Sequence, residues 1–160
     1  MKSLNSSVLF VLCSSMHVSA MQQETINKSD LYGSWNCKHQ IEDANTNINV
    51  KIDYNVNFKA AGKSSGIGSL LFTVQNFPEL EYHLSDVSTW DITGNTLILS
   101  STQIKSVNVS HPELDKLLNL NKLIPNKVDE SAEILTLTKN RLMVKYHFNE
   151  QVITCSKNRI

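Results

Sequence analysis

The sequence has no excess of charge of either sign, since its 160 residues include 15 Lys or Arg and 15 Asp or Glu. Proteins that bind nucleic acids carry clustered basic residues, which displace counterions from the phosphate backbone. A chain with balanced charge and no basic cluster does not offer such a surface. The composition therefore argues against nucleic acid, and equally against an anionic membrane surface, as a partner.

Long apolar stretches are also lacking. The apolar run Val8–Cys13 is much shorter than the roughly 20 residues needed to span a bilayer. It follows Lys2 and precedes small residues that end at Ala20, an arrangement typical of a secretory signal peptide. We predict a signal peptide over residues 1–20 and a single domain over residues 21–160, periplasmic or secreted and without a membrane anchor.

Cysteine is rare. Of three cysteines, Cys13 falls in the predicted signal peptide, which leaves Cys37 and Cys155. Two cysteines in an oxidising compartment most simply form one disulfide bond.

Patterns typical of catalysis and metal binding are missing as well. The five histidines show no HxH or HExxH spacing, and there is no GxSxG sequence. Gly62-Lys63-Ser64 is similar to part of a phosphate loop, but Asn57 stands where the first glycine of that loop belongs. We expect neither an enzyme, nor a cofactor, nor a metal site.

What the sequence does contain is alternation of apolar and polar residues. Over residues 48–58, the apolar residues Ile48, Val50, Ile52, Tyr54, Val56 and Phe58 alternate with polar ones. This pattern predicts a long antiparallel strand with one face toward solvent. We predict that residues 60–66 form a loop and that the strand containing Leu70–Val74 completes a hairpin.

Further strands are predicted at short spacing along the chain. They cover residues 82–85, 89–93, 96–109, 132–138, 142–148 and 152–156. Gly94-Asn95 is predicted to form a two-residue turn. The total is eight or nine strands, and we expect a mainly β protein, an antiparallel up-and-down barrel of about eight strands.

One amphipathic helix is predicted at residues 112–124. Ser110 and Glu113 match a capping box, and Pro125 ends the helix. Its apolar stripe comprises Leu114, Leu117, Leu118, Leu120, Leu123 and Ile124. The stripe should pack on the barrel, across an open end.

The segment LYGSWNC, residues 31–37, is predicted to begin the first strand. Trp35 and Cys37 then share the inward face, and Cys155 lies on the last strand. The first and last strands of a closed barrel are neighbours, so the two cysteines can come within the separation that a disulfide requires. We predict the bond Cys37–Cys155.

The GxW sequence in a first strand, the predicted export and the serial antiparallel strands resemble lipocalin-like (calycin-type) exported β-barrel proteins. The matching residues are 31–37, with GxW-x-C, and 153–159, with Cys155-x3-Arg159. The resemblance implies that Gly33 gives the chain room to enter the barrel, that Trp35 caps one end, and that Arg159 stacks on Trp35. The predicted helix departs from the family pattern, because it precedes the last three strands.

Two functions remain open at this point. The first is non-catalytic binding of a small hydrophobic ligand in the barrel, since barrels of this size hold side chains or one small ligand. The residues predicted to line its site are His39, Tyr54, Phe58, Phe72 and Tyr146. The second is an inhibitor or immunity-type protein whose loops at 59–66 and 76–81 bind a toxin or hydrolase in the periplasm. A cavity above about 300 Å³ would favour the first.

Overall fold

The chain folds into one closed barrel of eight antiparallel strands. The computed structural model describes residues 26–43, 47–118 and 124–158. The elements in chain order are α1 (Lys28–Leu31), β1 (Gly33–Asp43), β2 (Ile48–Lys59), β3 (Lys63–Val74), β4 (Leu80–Thr93), β5 (Thr96–Asn108), α2 (Pro112–Leu118), β6 (Val128–Leu137), β7 (Arg141–Tyr146) and β8 (Val152–Lys157). Each strand pairs with the next, and β8 pairs with β1. The predicted fold class is confirmed.

Residues 1–20 lie outside the described residues, so the signal peptide remains a prediction. Within the described part of the chain, neither helix has the length and apolar character needed to cross a membrane.

Strand alternation predicts which side chains point into the barrel. In β2, Phe58 is almost fully buried and stands opposite Gly33 of β1 and Ser64 of β3. Successive residues of a strand point to opposite faces, so the alternate positions back to Ile48 face the interior as predicted.

Two strand boundaries differ from the prediction, because the strands include polar and small residues that were predicted to lie outside them. The loop predicted at 60–66 is a turn of residues 60–62, and β3 already begins at Lys63. Gly62 completes this turn with φ +68°. The separate strands predicted at 82–85 and 89–93 are one strand, β4, whose register with β5 shifts between Val87 and Ser88.

The two ends of the barrel differ. At the closed end lie α1, the β2–β3, β4–β5 and β6–β7 turns, and the end of β8. The main core fills this end and contains Leu31, Trp35, Phe58, Trp90, Ile92, Leu97, Ala132, Ile134, Leu142, Val144 and Cys155. The opposite, open end carries the β1–β2, β3–β4 and β7–β8 connections and α2.

Helix α2 lies at the open end, as predicted, but it does not include Ile124, the last residue of the predicted helix. It spans Pro112–Leu118. A residue that precedes proline is disfavoured in helical conformation, which explains the non-helical Ile124 before Pro125. Leu114 and Ile124 pack against a second, smaller core of Leu70, Leu80 and Tyr82. Residues 119–123 and the side chains of Leu117 and Leu118 lie outside the described part of the structure.

The disulfide bond is confirmed. Cys37 of β1 and Cys155 of β8 stand directly opposite each other, with their Cα atoms 4.0 Å apart. Facing residues of a non-hydrogen-bonded antiparallel pair lie about 4.5 Å apart, so the bond joins two strands that already adjoin. It covalently connects the two ends of the sheet where the barrel closes.

Candidate functional site

The barrel encloses a cavity of about 370 Å³ between the closed end and α2. Side chains from all eight strands line it, together with Ile124 and Pro125 in the segment that leads into β6. Most of these side chains are apolar, for example Ile52, Val56 and Leu99. The cavity is therefore suited to an apolar molecule of modest size.

Trp35 and α1 form the cap of the closed end. Trp35 is fully buried, and its indole Nε1–H donates a hydrogen bond of 2.7 Å to the Leu31 carbonyl oxygen. Leu31 is itself fully buried against it. The polar atom of the indole is thus satisfied by the four-residue helix that precedes β1.

The cation placed on Trp35 is a lysine. Lys157 Nζ lies 4.9 Å from the centroid of the Trp35 ring and donates to the Asp30 carbonyl oxygen at 3.2 Å. Arg159, expected in this position, lies outside the described residues. Gly33 has φ +107°, a conformation that favours glycine, as the chain enters β1.

A polar cluster lies on the wall of the cavity, which the sequence analysis missed. The Asp86 carboxylate accepts hydrogen bonds from the hydroxyls of Tyr54, Ser88 and Ser101, the last at 3.3 Å. Burial, followed by the bond to Asp86, raises the pKa of Tyr54 well above its ordinary value. Asp86 thus remains in the interior with hydroxyl groups as partners.

Glycines allow this cluster to form. Tyr54 lies on β2 and Asp86 on β4, so the tyrosine must reach across β3, which lies between them. Gly66 of β3 faces Val56 and Asp86, and a Cβ there would overlap the Tyr54 ring and hydroxyl. The absence of a side chain leaves the space in which the tyrosine lies.

Two more polar side chains line the cavity near β6 and β7. Glu130 of β6 and Tyr146 of β7 are both half-buried. Burial raises the pKa of Glu130. Burial, with a smaller effect of the Glu130 charge, raises the pKa of Tyr146 to about 12.

Glu130 lies between the cavity and the outer surface of the barrel. A more exposed depression on the outer surface is lined by Lys127, Asp129, Ser131 and His147. The depression and the cavity share Pro125, Val128, Glu130 and Phe148. These shared residues lie between the two, and the cavity lining reaches the protein surface at Phe148, which is 70% exposed.

His39 is another polar residue of the cavity wall. Its Nε2 is 3.1 Å from Oε1 of Gln151, in the connection between β7 and β8. The sequence analysis named His39 among the residues predicted to line the ligand site. The structure places His39 on the cavity wall, with a side-chain amide as its partner.

Four of the five residues predicted to line the site surround one cavity, namely His39, Tyr54, Phe58 and Tyr146. Phe72, the fifth, does not line this cavity. Its ring packs edge-on against Tyr82, with 5.7 Å between centroids, in the second core near α2. Alternation predicted the correct face for Phe72. The position of Phe72 along the barrel axis, however, depends on how far β2–β5 extend beyond the short strands β7 and β8.

A second polar network holds α2 over that end. Asp115 of α2 accepts hydrogen bonds from the Tyr82 hydroxyl and from Asn108 Nδ2, the latter at 3.0 Å. Burial, together with the bond to Asp115, raises the pKa of Tyr82 to about 12. These bonds fix the helix to β4 and β5 beside the cavity.

Within residues 26–43, 47–118 and 124–158, no three His, Cys, Asp or Glu side chains are grouped as a metal ion would require. A scan against protein-family models finds no match for this chain, and a search of curated proteins finds no similar sequence.

Proposed function

We propose that this protein binds a small hydrophobic ligand inside its barrel and that it is an exported, non-catalytic protein of the lipocalin-like type. The observation that carries the proposal is the interior cavity of about 370 Å³, with apolar walls, a closed end and a lining that reaches the surface at Phe148. Ligand sites in proteins are typically apolar cavities of about 300 Å³ or more that contain a few polar groups.

The lipocalin-like assignment is supported by the arrangement of the closed end. The eight strands follow one another around the barrel, and Gly33 and Trp35 lie where the chain enters it, with Trp35 buried as a cap. The position of α2 before the last three strands distinguishes this chain from the usual family pattern.

Export is supported by the disulfide bond. Cys37 and Cys155 are bonded, and disulfides persist in oxidising compartments such as the periplasm and the extracellular space. This agrees with the predicted signal peptide.

The alternative is an inhibitor or immunity-type protein that binds a toxin or hydrolase through its loops. It is favoured by two exposed aromatic side chains in the open-end connections, Phe77 at 53% exposure and Phe148 at 70%. A protein that acts only through its surface does not need an empty interior, however. The cavity is the reason to prefer ligand binding.

Mass spectrometry of the protein purified from an exporting host tests the proposal. We expect an apolar small molecule to be extracted from wild-type protein and to be lost from Leu99→Trp, which fills the cavity. Ile98→Trp is the matched control, since Ile98 is the exposed neighbour on β5. Protein that carries no such molecule and also fails to bind an apolar fluorescent dye would contradict ligand binding.

A further inference from the structure

The ionisable side chains that the structure describes on the cavity wall include carboxylates but no lysine or arginine. Among the described residues that line the cavity, Asp86 and Glu130 are carboxylates, His39 is the only basic type, and none is Lys or Arg. An interior with this composition has a negative potential, which disfavours an anionic ligand.

The two carboxylates differ in what they already bind. Asp86 accepts hydrogen bonds from three hydroxyls, Tyr54, Ser88 and Ser101. The Glu130 carboxylate makes no hydrogen bond or ion pair with any residue that the structure describes. The carboxylate available for a ligand is therefore Glu130.

Tyr146 supplies a second available polar group beside Glu130. Tyr146 stands opposite Ala132 in the β6–β7 register, and Glu130 is two residues from Ala132 on the same face of β6. Side chains related in this diagonal way are within reach of each other when one is aromatic. The Tyr146 hydroxyl also has no hydrogen-bond partner among the described residues, although its ring is enclosed by the barrel.

The location of this pair indicates which part of a ligand it would contact. Glu130 lies on the side of the cavity that adjoins the outer depression and the exposed Phe148, while the apolar walls extend inward toward Phe58 and the disulfide bond. A molecule that entered tail first would place its apolar part in the interior and its polar head beside Glu130 and Tyr146. A half-buried carboxylate without a partner is unfavourable, and a cation with hydrogen-bond donors is the partner that removes this cost.

We propose that the ligand is a cationic amphiphile, an apolar chain or ring system with one ammonium group, whose ammonium is bound by the Glu130 carboxylate with the Tyr146 hydroxyl beside it. This inference rests on the proposed function, because it specifies the ligand of the same cavity.

Calorimetric titration at neutral pH and constant ionic strength tests it with three probes of equal chain length: octylamine, octanol and octanoate. We expect octylamine to bind at least about tenfold more tightly than octanol, and octanoate to bind most weakly, because a hydrogen bond to a charged group contributes more than a neutral one. The advantage of octylamine over octanol should be lost in Glu130→Gln. It should be retained in Asp129→Asn, which removes the same charge from the exposed neighbouring position of β6.

The outcomes separate this inference from the proposed function. Equal affinity for octylamine and octanol, or an advantage of octylamine that survives Glu130→Gln, would overturn the cationic ligand and leave apolar binding intact. Octanoate as the tightest probe would overturn it too. If none of the three probes binds, apolar binding itself fails, and the inference fails with it.

Discussion

Trp35 is the residue around which the closed end is organised. It is fully buried, its indole N–H is bonded to α1, and Lys157 lies over its ring. The contributions of these contacts differ in size. Burial of a large aromatic side chain outweighs a single cation–π contact with a partly exposed lysine.

Replacing Trp35 should therefore be much more costly than replacing Lys157. We expect Trp35→Ala to lower the free energy of unfolding by about 3–5 kcal/mol, through lost burial and the cavity left behind. Lys157→Ala should lower it by only about 0.5–1 kcal/mol. Urea unfolding of both variants, followed by circular dichroism, measures the difference, and similar losses for the two would show that Trp35 does not support the cap.

Glu130 is a second residue of interest, because its burial makes the stability of the fold depend on pH. Burial raises the pKa of Glu130 above the ordinary 4.5, so the folded state binds its proton more tightly than the unfolded state does. Stability from this group is therefore greatest below pH 4.5 and is lost as the pH rises through the raised pKa.

Glu130→Gln should remove this loss of stability at higher pH. We expect the variant to melt at a higher temperature than wild type at neutral pH, with the difference shrinking toward zero as the pH falls below the ordinary glutamate pKa. Thermal melts over a pH series check this, with Asp129→Asn as the control at an exposed site. A melting difference that stays constant with pH would contradict the burial of the Glu130 carboxylate.

At the scale of the element, β3 is unusual because two of its inward positions are glycines, whereas the facing positions on β2 carry large side chains. Gly66 and Gly68 face inward opposite Val56 and Tyr54, and the tyrosine ring lies over them toward Asp86. An alanine Cβ at Gly66 would meet mainly the ends of the Tyr54 and Asp86 side chains. At Gly68 it would meet backbone atoms of Asp53 and Tyr54 as well.

These two contacts predict different responses to a second substitution. Gly66→Ala and Gly68→Ala should each destabilise the fold, by about 1–3 kcal/mol for overpacking. Adding Tyr54→Ala should recover part of the loss at Gly66, because the obstructing ring is gone, and little at Gly68. A double-mutant cycle on unfolding free energies measures this coupling. Equal recovery at both positions would argue against the observed path of Tyr54 across β3.

At the scale of the whole molecule, the disulfide bond and the pairing of β1 with β8 close the barrel. Cys37 and Cys155 are separated by 118 residues, so the bond encloses most of the domain. It limits the unfolded chain and also holds together two strands that would otherwise be exposed edges of an open sheet.

Removing the bond should be strongly destabilising. On the chain-entropy model, a loop of this length contributes about 4–5 kcal/mol. We expect Cys37→Ala/Cys155→Ala to show a loss of that order in denaturant unfolding. Wild type treated with a reductant should unfold at the same denaturant concentration as the double variant, whereas a reductant without effect on wild type would mean that the cysteines are not bonded.

Local pattern was enough to determine the fold class, the strand β2, the turn at Gly94-Asn95 and the partnership of Cys37 with Cys155. Each follows from period-two alternation, from turn chemistry or from the small number of cysteines, all of which act over a few residues or through simple elimination. Alternation also determined that His39, Tyr54, Phe58 and Tyr146 face inward.

The tertiary structure alone decided where along the barrel those inward residues lie and which polar groups they meet. Phe72 faces inward yet packs beside α2, because the long strands β2–β5 rise past the cavity. The stretch 86–88 looked like a break between two strands, but it belongs to β4 and supplies Asp86 to the cavity. Its partners Tyr54 and Ser101 lie on β2 and β5, and only the pairing of β2–β5 in one sheet brings these distant segments together, with Gly66 leaving room between them.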